Sequence, residues 1–189
     1  MRQDQPETRQ HNREQSPWHV PVAVEDVPET GLHVEIAADA QVRAAVARIA
    51  GLRDLPRLQA SFEVTRRAAG GLHVTGLVSA TVGQTCVVTL EPIVNEVAEA
   101  VDLLFVPPAL APAAAEAPLR EDSAPAEEPE PLIGGGIDLG ALATEFLILG
   151  LDPYPRKPGA VFQPPPDIAP DGGGPFAALG GLRKVRDGR

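Results

Sequence analysis

The sequence predicts an α+β fold, in which an antiparallel β-sheet or partly closed barrel packs against one or two helices, with a disordered acidic linker and disordered tails. Two runs of alternating apolar residues around a glycine pair predict a β-hairpin over residues 58–82. Segments with the apolar spacing of helices lie on either side of the strand-rich region. The 21 prolines and 18 glycines crowd into residues 107–136 and 153–181, so we expect the ordered part to be shorter than the chain.

The first half of the chain, residues 17–106, is predicted to form a β-rich core with one helix. Residues 18–24 and 31–37 are predicted to be extended, the second because its apolar residues alternate. Asp39 is a suitable N-cap for a helix over residues 40–50, in which the apolar side chains share one face. One helix packed on a sheet is therefore the simplest assembly for this half of the chain.

Four further strands are predicted after this helix. Apolar residues alternate with polar ones over residues 58–64 and again over 74–82, which is the pattern of a hairpin. A short strand is predicted over residues 85–88 and a longer one over 94–106. The proline pair at 107–108 ends the last strand, because proline cannot donate a hydrogen bond to a neighbouring strand. An antiparallel sheet should therefore dominate the fold.

The rest of the chain is predicted to contain one more ordered segment. Residues 107–136 are rich in Pro, Ala and Glu and are predicted to be an acidic linker. Asp138 is a suitable cap for a second helix, and residues 137–157 comprise this helix and a proline-rich turn that complete the same domain. Residues 1–16 and 158–189 are predicted to be a disordered N-terminal tail and a flexible C-terminal tail.

Charge is unevenly distributed along the chain, although the formal net charge is −10. Residues 116–130 contain six acids and one arginine, whereas residues 43–67 contain six arginines and two acids. The folded part is therefore expected to carry a locally basic segment. No apolar stretch resembles a secretory signal or could cross a bilayer, which predicts a soluble, cytoplasmic protein with no membrane partner.

Few residues are candidates for chemistry. A metal site needs several imidazole or thiolate ligands to converge, and the combination that adjoining strands would allow is His33, His73 and Cys86. Histidines on the polar faces of strands explain the same pattern, so we predict no metal and no other cofactor. Nucleophilic catalysis by Cys86 would need a base that the sequence does not identify. We therefore predict a protein that is not an enzyme and has no small-molecule substrate.

The segment that follows the hairpin, residues 84–92, resembles the central motif of the YceD-like large ribosomal RNA subunit accumulation proteins. The usual form of that motif is Cys, two residues of which the second is Arg, Cys, Leu, any residue and Pro. Val88 stands here where the family often has Arg, and Thr89 where it often has the second Cys, as in the single-cysteine form that we expect of alphaproteobacterial members. The resemblance extends over residues 17–185. The motif residues assigned from it are Cys86, Thr89, Leu90, Pro92, Asp138 and Pro155.

The resemblance implies a non-enzymatic bacterial factor that supports the processing or accumulation of large-subunit (23S) ribosomal RNA and ribosome assembly. Its partner would be that RNA or a pre-ribosomal particle, with arginines contacting phosphates. A merely solvated basic face is the other interpretation of the arginines. An alternative function is an adaptor or chaperone for a basic ribosomal protein, shielded by the acidic linker. The hypothetical RNA-binding residues are Arg53, Arg57, Arg66, Arg67, Arg156 and Lys157.

Overall fold

A computed structural model describes residues 16–110 and 129–162 of the chain. The elements follow one another as β1 (Pro21–Ala23), β2 (Leu32–Ala37), α1 (Ala40–Ile49), β3 (Asp54–Arg67), β4 (Gly71–Thr85), β5 (Pro92–Val106), β6 (Glu130–Pro131), β7 (Gly136–Asp138) and α2 (Leu139–Leu149). Short 3-10 turns lie at Val24–Asp26, Ala68–Gly70 and Ile133–Gly135. The described residues up to Lys157 belong to one compact unit, and Pro158 begins a second one.

Five strands form one sheet in the order β2-β3-β4-β5-β6, and β1 and β7 form a separate antiparallel pair. Neighbouring strands of the five-stranded sheet are antiparallel except for β5 and β6, which are parallel. The strand order does not return from β6 to β2, so the sheet is open and is not closed into a barrel. The predicted α+β class, with a mostly antiparallel sheet and two helices, is confirmed.

The hairpin of β3 and β4 lies in the middle of the sheet, where the alternation of apolar residues predicts it. Phe62 is paired with Gly76, and Val64 is paired with Val74. A Cβ atom at Gly76 would lie 2.7 Å from the ring of Phe62, so glycine leaves the space that the ring occupies. The alternate apolar residues of both strands are buried in one hydrophobic core.

Both helices contribute to this core. α1 packs against β3, and α2 packs against β4 and β5. Val46 of α1 and Leu147 of α2 are fully buried. Asp39 caps α1 as predicted, because its carboxylate accepts a hydrogen bond of 2.8 Å from the amide of Val42. In the part of the chain that the structure describes, neither helix is long and apolar enough to cross a membrane.

One predicted strand is wrong. Residues 85–88 do not form a separate strand, because β4 continues to Thr85 and the chain turns directly after it. The turn ends at Pro92, the first residue of β5, which is paired with Thr85. The two valines at positions 87 and 88, which favoured a strand, lie in this turn.

The predicted linker, residues 107–136, differs from the structure at its end. β6 lies within this stretch and pairs with the end of β5, and the amide of Leu132 donates to the carbonyl of Val106 at 2.7 Å. Regular structure therefore begins before the predicted boundary at residue 136, because the chain adds to a sheet edge there. Of these predicted segments, residues 111–128, 1–15 and 163–189 lie outside the described residues. Ser16, which was assigned to the disordered N-terminal tail, is described and buried, because its hydroxyl group donates to the carbonyl of Trp18 and it packs with the folded part.

Candidate functional site

The chain leaves β4 through a short turn, residues 86–91, which we call the cysteine loop. The amide of Cys86 donates to the carbonyl of Glu91 at 2.9 Å, and the amide of Leu90 donates to the carbonyl of Cys86 at the same distance. Leu90 has a φ of +60°, a conformation that residues with a Cβ atom rarely adopt. These bonds return the chain beside β4, so the loop is an integral part of the end of the sheet.

The sulfur of Cys86 is buried and accepts two backbone hydrogen bonds. The amide of Thr89 donates to it at 3.4 Å, and the amide of Lys157 donates to it at 3.3 Å. Hydrogen bonds lower the pKa of this thiol to about 6, and the amide of Lys157 contributes most. Thr89 and the amide of Val88 lower the pKa further, whereas burial raises it. A buried sulfur held by amides is a hydrogen-bond acceptor that joins two segments, whereas reactive cysteines are partly exposed.

Residues 152–157, which we call the closing segment, lie against the cysteine loop. The amide of Val87 donates to the carbonyl of Pro155 at 2.9 Å, and Pro155 is itself buried. The ammonium group of Lys157 lies 2.8 Å from the carboxylate of Glu91. This ion pair lowers the pKa of Glu91 and raises that of Lys157. Backbone and side-chain contacts therefore join two parts of the chain that are distant in sequence.

Five of the six residues assigned to the family motif lie in or beside these two segments. The sixth, Asp138, lies at the other end of α2, whose 11 residues span roughly 16 Å. The motif thus marks both ends of α2 and not a single site. The five that lie together are Cys86, Thr89, Leu90, Pro92 and Pro155.

Asp138 is the N-cap of α2 and also holds the first strand in place. Its carboxylate accepts hydrogen bonds from the amides of Gly140 and Ala141 at 3.0 and 3.1 Å, and from the amide of Val20 at 2.9 Å. Nδ1 of His19 lies 2.7 Å from the same carboxylate. Burial raises the pKa of Asp138, but the donors outweigh burial and the net pKa is lowered. The contacts of this residue are therefore those of a structural cap.

The arginines that we predicted to bind RNA do not form one patch. Arg53 and Arg57 lie at the end of β3 beside the cysteine loop, where the amide of Arg53 donates to the carbonyl of Gly83 at 2.8 Å. Arg66 and Arg67 lie at the other end of β3, and Arg66 is about 30 Å from Arg57 at roughly 3.3 Å per residue. The basic segment of the sequence is therefore divided between two ends of the sheet.

The two distant arginines are engaged with neighbouring groups. The guanidinium group of Arg66 donates to the carbonyls of Val27 and Glu25, which precede β2. The guanidinium group of Arg67 lies 2.8 Å from Nδ1 of His73 on the adjacent strand. These contacts attach the chain before β2 to the end of the hairpin, which gives Arg66 a structural role.

Four cations lie at the end of the sheet that carries the cysteine loop, and we call Arg53, Arg57, Arg156 and Lys157 the cationic end. The guanidinium group of Arg57 lies 2.7 Å from the carboxylate of Glu96, so this charge is neutralised locally, as is that of Lys157. Arg53 and Arg156 are exposed and form no ion pair with another residue in the described ranges. Two of the four cations are therefore available to an external anion.

The three residues considered for a metal site do not converge. His73 and Cys86 lie at opposite ends of β4, about 40 Å apart at roughly 3.3 Å per residue. Nδ1 of His33 lies 2.6 Å from the carboxylate of Glu63, which raises the pKa of His33. Within the described ranges, no group of three or more His, Cys, Asp or Glu residues could hold a metal ion.

A groove that the sequence did not predict lies between α2 and the last part of β5. Its volume is about 540 Å³, and Ile49, Phe146 and Leu149 are among the residues that line it. At helical spacing, Leu139, Leu142, Phe146 and Leu149 predict one apolar stripe along α2, but the side chain of Leu149 is 70% exposed. The buried face of α2 includes Leu139 and Leu142 of this stripe and also Ala143 and Leu147. An apolar stripe wider than one packed face was the signal for this groove.

The family comparison covers most of the site. The model of the family described as large ribosomal RNA subunit accumulation protein YceD matches residues 74–182, which is more than half of the chain. This match includes the cysteine loop, the closing segment and α2, whereas Arg53 and Arg57 precede it. No curated protein and no solved structure matches the chain at a significant level.

Proposed function

Because the chain belongs to the YceD family of large ribosomal RNA subunit accumulation proteins, we propose that it is a non-enzymatic cytoplasmic factor in 23S ribosomal RNA processing and large-subunit assembly. It acts by binding RNA within the pre-ribosomal particle. The observation that supports this mechanism is the cationic end, where two exposed arginines, Arg53 just before β3 and Arg156 in the closing segment, lie at the same end of the sheet. Arginine is suited to this role because its planar guanidinium group matches the geometry of phosphate oxygens.

The backbone that carries these arginines is held in place. The amide of Arg53 is bonded to β4, and the chain on both sides of Arg156 is bonded to the cysteine loop. A fixed backbone reduces the conformational entropy that binding would otherwise remove. Arg57 and Lys157 contribute less, because a phosphate would have to compete with the carboxylates that already neutralise them.

The same end of the sheet offers one aromatic side chain. Tyr154 of the closing segment is 70% exposed and lies two residues before Arg156. An exposed aromatic ring suits stacking on an unpaired base. By contrast, Trp18 and Phe62 are buried and serve the core. We therefore propose that the protein contacts folded RNA mainly through its phosphates, with one stacked base at Tyr154.

The test compares two double variants that remove the same charge from opposite ends of the sheet. Arg53→Gln with Arg156→Gln alters the cationic end, and Arg66→Gln with Arg67→Gln is the matched control. Binding of a 23S ribosomal RNA transcript is measured by fluorescence anisotropy over a range of salt concentrations. We expect the first pair to weaken binding and to flatten the slope of log affinity against log salt by about 0.7 to 0.9 for each lost phosphate contact.

The control pair should change affinity and salt slope much less, once thermal unfolding has established that both proteins are folded at the assay temperature. Equal losses in both pairs would indicate general charge attraction and would contradict a specific cationic end. Unchanged affinity in the first pair would remove Arg53 and Arg156 from the interface.

The alternative function, an adaptor or chaperone for a basic ribosomal protein, is supported by the composition of β5. This strand and the residue before it carry four acids and no lysine or arginine, and Glu91 and Glu96 of these are paired with Lys157 and Arg57. A pull-down from lysate with and without ribonuclease distinguishes the two mechanisms, because an association mediated by RNA is lost on digestion. The four acids are Glu91, Glu96, Glu99 and Asp102.

A further inference from the structure

The groove between α2 and β5 is separate from the cationic end and has a different chemistry. Leu103 and Phe105 of β5 and Leu142 of α2 line it, and Ile49 and Leu149 border it. Phe105 and Leu142 are buried, whereas Ile49 and Leu149 are 53% and 70% exposed. A concave apolar surface with exposed large side chains at its border is typical of a binding site for another molecule.

The charged residues of the groove are all acidic. Asp138, Glu130 and Glu145 line it, and no lysine, arginine or histidine is found among its described lining residues. Asp138 is occupied as a helix cap, but Glu145 lies on the exposed side of α2. The exposed carboxylate of Glu145 therefore gives this side of the groove a negative charge, which repels nucleic acid phosphates and attracts cations.

We propose that this groove binds a cationic amphipathic segment of a partner protein. Apolar side chains of the segment occupy the space over Leu103 and Leu142, and its lysines or arginines lie beside Glu145. The volume of about 540 Å³ is within the range of sites that hold several large side chains. The choice of occupant rests on charge complementarity, because the apolar surface alone would accept any hydrophobic segment. This inference is independent of RNA binding at the cationic end.

The probe is a synthetic fluorescent peptide of about 12 residues, a length that forms about three helical turns. Leu and Phe lie three or four positions apart, on one face of this helix, and Lys and Arg lie on the opposite face. Two matched peptides replace either the basic residues by Glu or the large apolar residues by Ser. We expect the full-length protein to bind the first peptide and to bind each of the others at least tenfold more weakly. Salt should weaken binding of the first peptide, because part of its attraction to the groove is electrostatic.

Variants of the protein test whether the peptide occupies this groove. Leu149→Ser and Glu145→Lys change exposed residues, so both proteins should remain folded. We expect Leu149→Ser to weaken binding at least tenfold, and Glu145→Lys to weaken it while removing most of its salt dependence. Leu77→Ser, which changes a half-exposed residue of β4, and Glu35→Lys, which changes an exposed acid of β2, are the matched controls and should have no effect.

Four outcomes would overturn the proposal. The first is equal binding of all three peptides, and the second is equal loss in the groove variants and the controls. The third is a dimer in sedimentation that Leu149→Ser dissociates, which would identify a second copy as the occupant. The fourth is a protein carrying Leu149→p-benzoylphenylalanine that crosslinks to its own residues in preference to the peptide. RNA binding is measured in parallel, and Leu149→Ser should leave it unchanged, so failure here is distinguishable from failure of the cationic end.

Discussion

The amide of Lys157 donates a hydrogen bond of 3.3 Å to the sulfur of Cys86, although 71 residues separate them. A second bond, from the amide of Val87 to the carbonyl of Pro155, lies beside it. Together they fasten the chain that follows α2 to the end of the sheet. Because Arg156 lies between these two attachment points, the cysteine determines where one of the exposed cations of the cationic end is placed.

Substitution of Cys86 should affect stability according to the hydrogen bonds that the new side chain can accept. Cys86→Ser keeps an acceptor, so we expect the protein to remain folded with its cellular function largely intact. Cys86→Ala leaves the amides of Thr89 and Lys157 without this acceptor, which should lower the free energy of unfolding by about 1 to 3 kcal/mol. Urea unfolding measures the difference. If the alanine variant is as stable as the serine variant, the two amides do not depend on this acceptor.

The same sulfur should make stability depend on pH. In the folded protein its pKa is lowered from the ordinary value of 9.0 to about 6, so between these values the unfolded chain binds a proton that the folded one does not. The contribution of the thiolate is therefore fully present above pH 9 and is lost as the pH falls through 6.

We expect the stability difference between the wild type and Cys86→Ser to change in favour of the wild type as the pH rises from 6 to 9, and to be constant below 6. Denaturant unfolding across this pH range measures the difference. The serine variant is the control, because every other titrating group is the same in both proteins. Parallel profiles of the two proteins would mean that the thiol is not a thiolate in the folded state.

Local patterns predicted the centre of the sheet but not its end. The alternation around Phe62 and Val78 identifies β3 and β4, because burial on one face fixes the register of a strand. The turn at Leu90 has no such signal, since its left-handed backbone is set by the bond from its amide to the carbonyl of Cys86. A valine pair at 87–88 consequently favoured a strand that does not exist.

The candidate site depended on contacts between distant segments, which periodicity cannot reveal. The resemblance to a family indicated that Cys86 and Pro155 matter together, but their contact follows from how α2 packs across the sheet. The division of the arginines was accessible to sequence reasoning, because Arg57 and Arg66 lie on either side of the predicted strand 58–64. The exposure of Leu149 was not, since it depends on which part of the apolar stripe of α2 the sheet covers.

Asp138 provides a test of the other end of α2. Asp138→Ala removes the acceptor for the amides of Gly140, Ala141 and Val20, so it should lower the free energy of unfolding by about 1 to 2 kcal/mol. Asp39→Ala is the matched control, because this carboxylate caps α1 through one exposed bond and does not hold a second strand.

We expect Asp39→Ala to cost less than Asp138→Ala, and Asp138→Asn to recover part of the loss because its side-chain oxygen still accepts hydrogen bonds from amides. Thermal and urea unfolding measure stability, and hydrogen exchange at the amides of β1 and β7 reports whether the pairing of these strands is lost. The contrary result is exchange in Asp138→Ala that becomes faster only in the first turn of α2 while β1 stays protected. That result would contradict the role of Asp138 in holding the strand, because the bond to the amide of Val20 would then be dispensable.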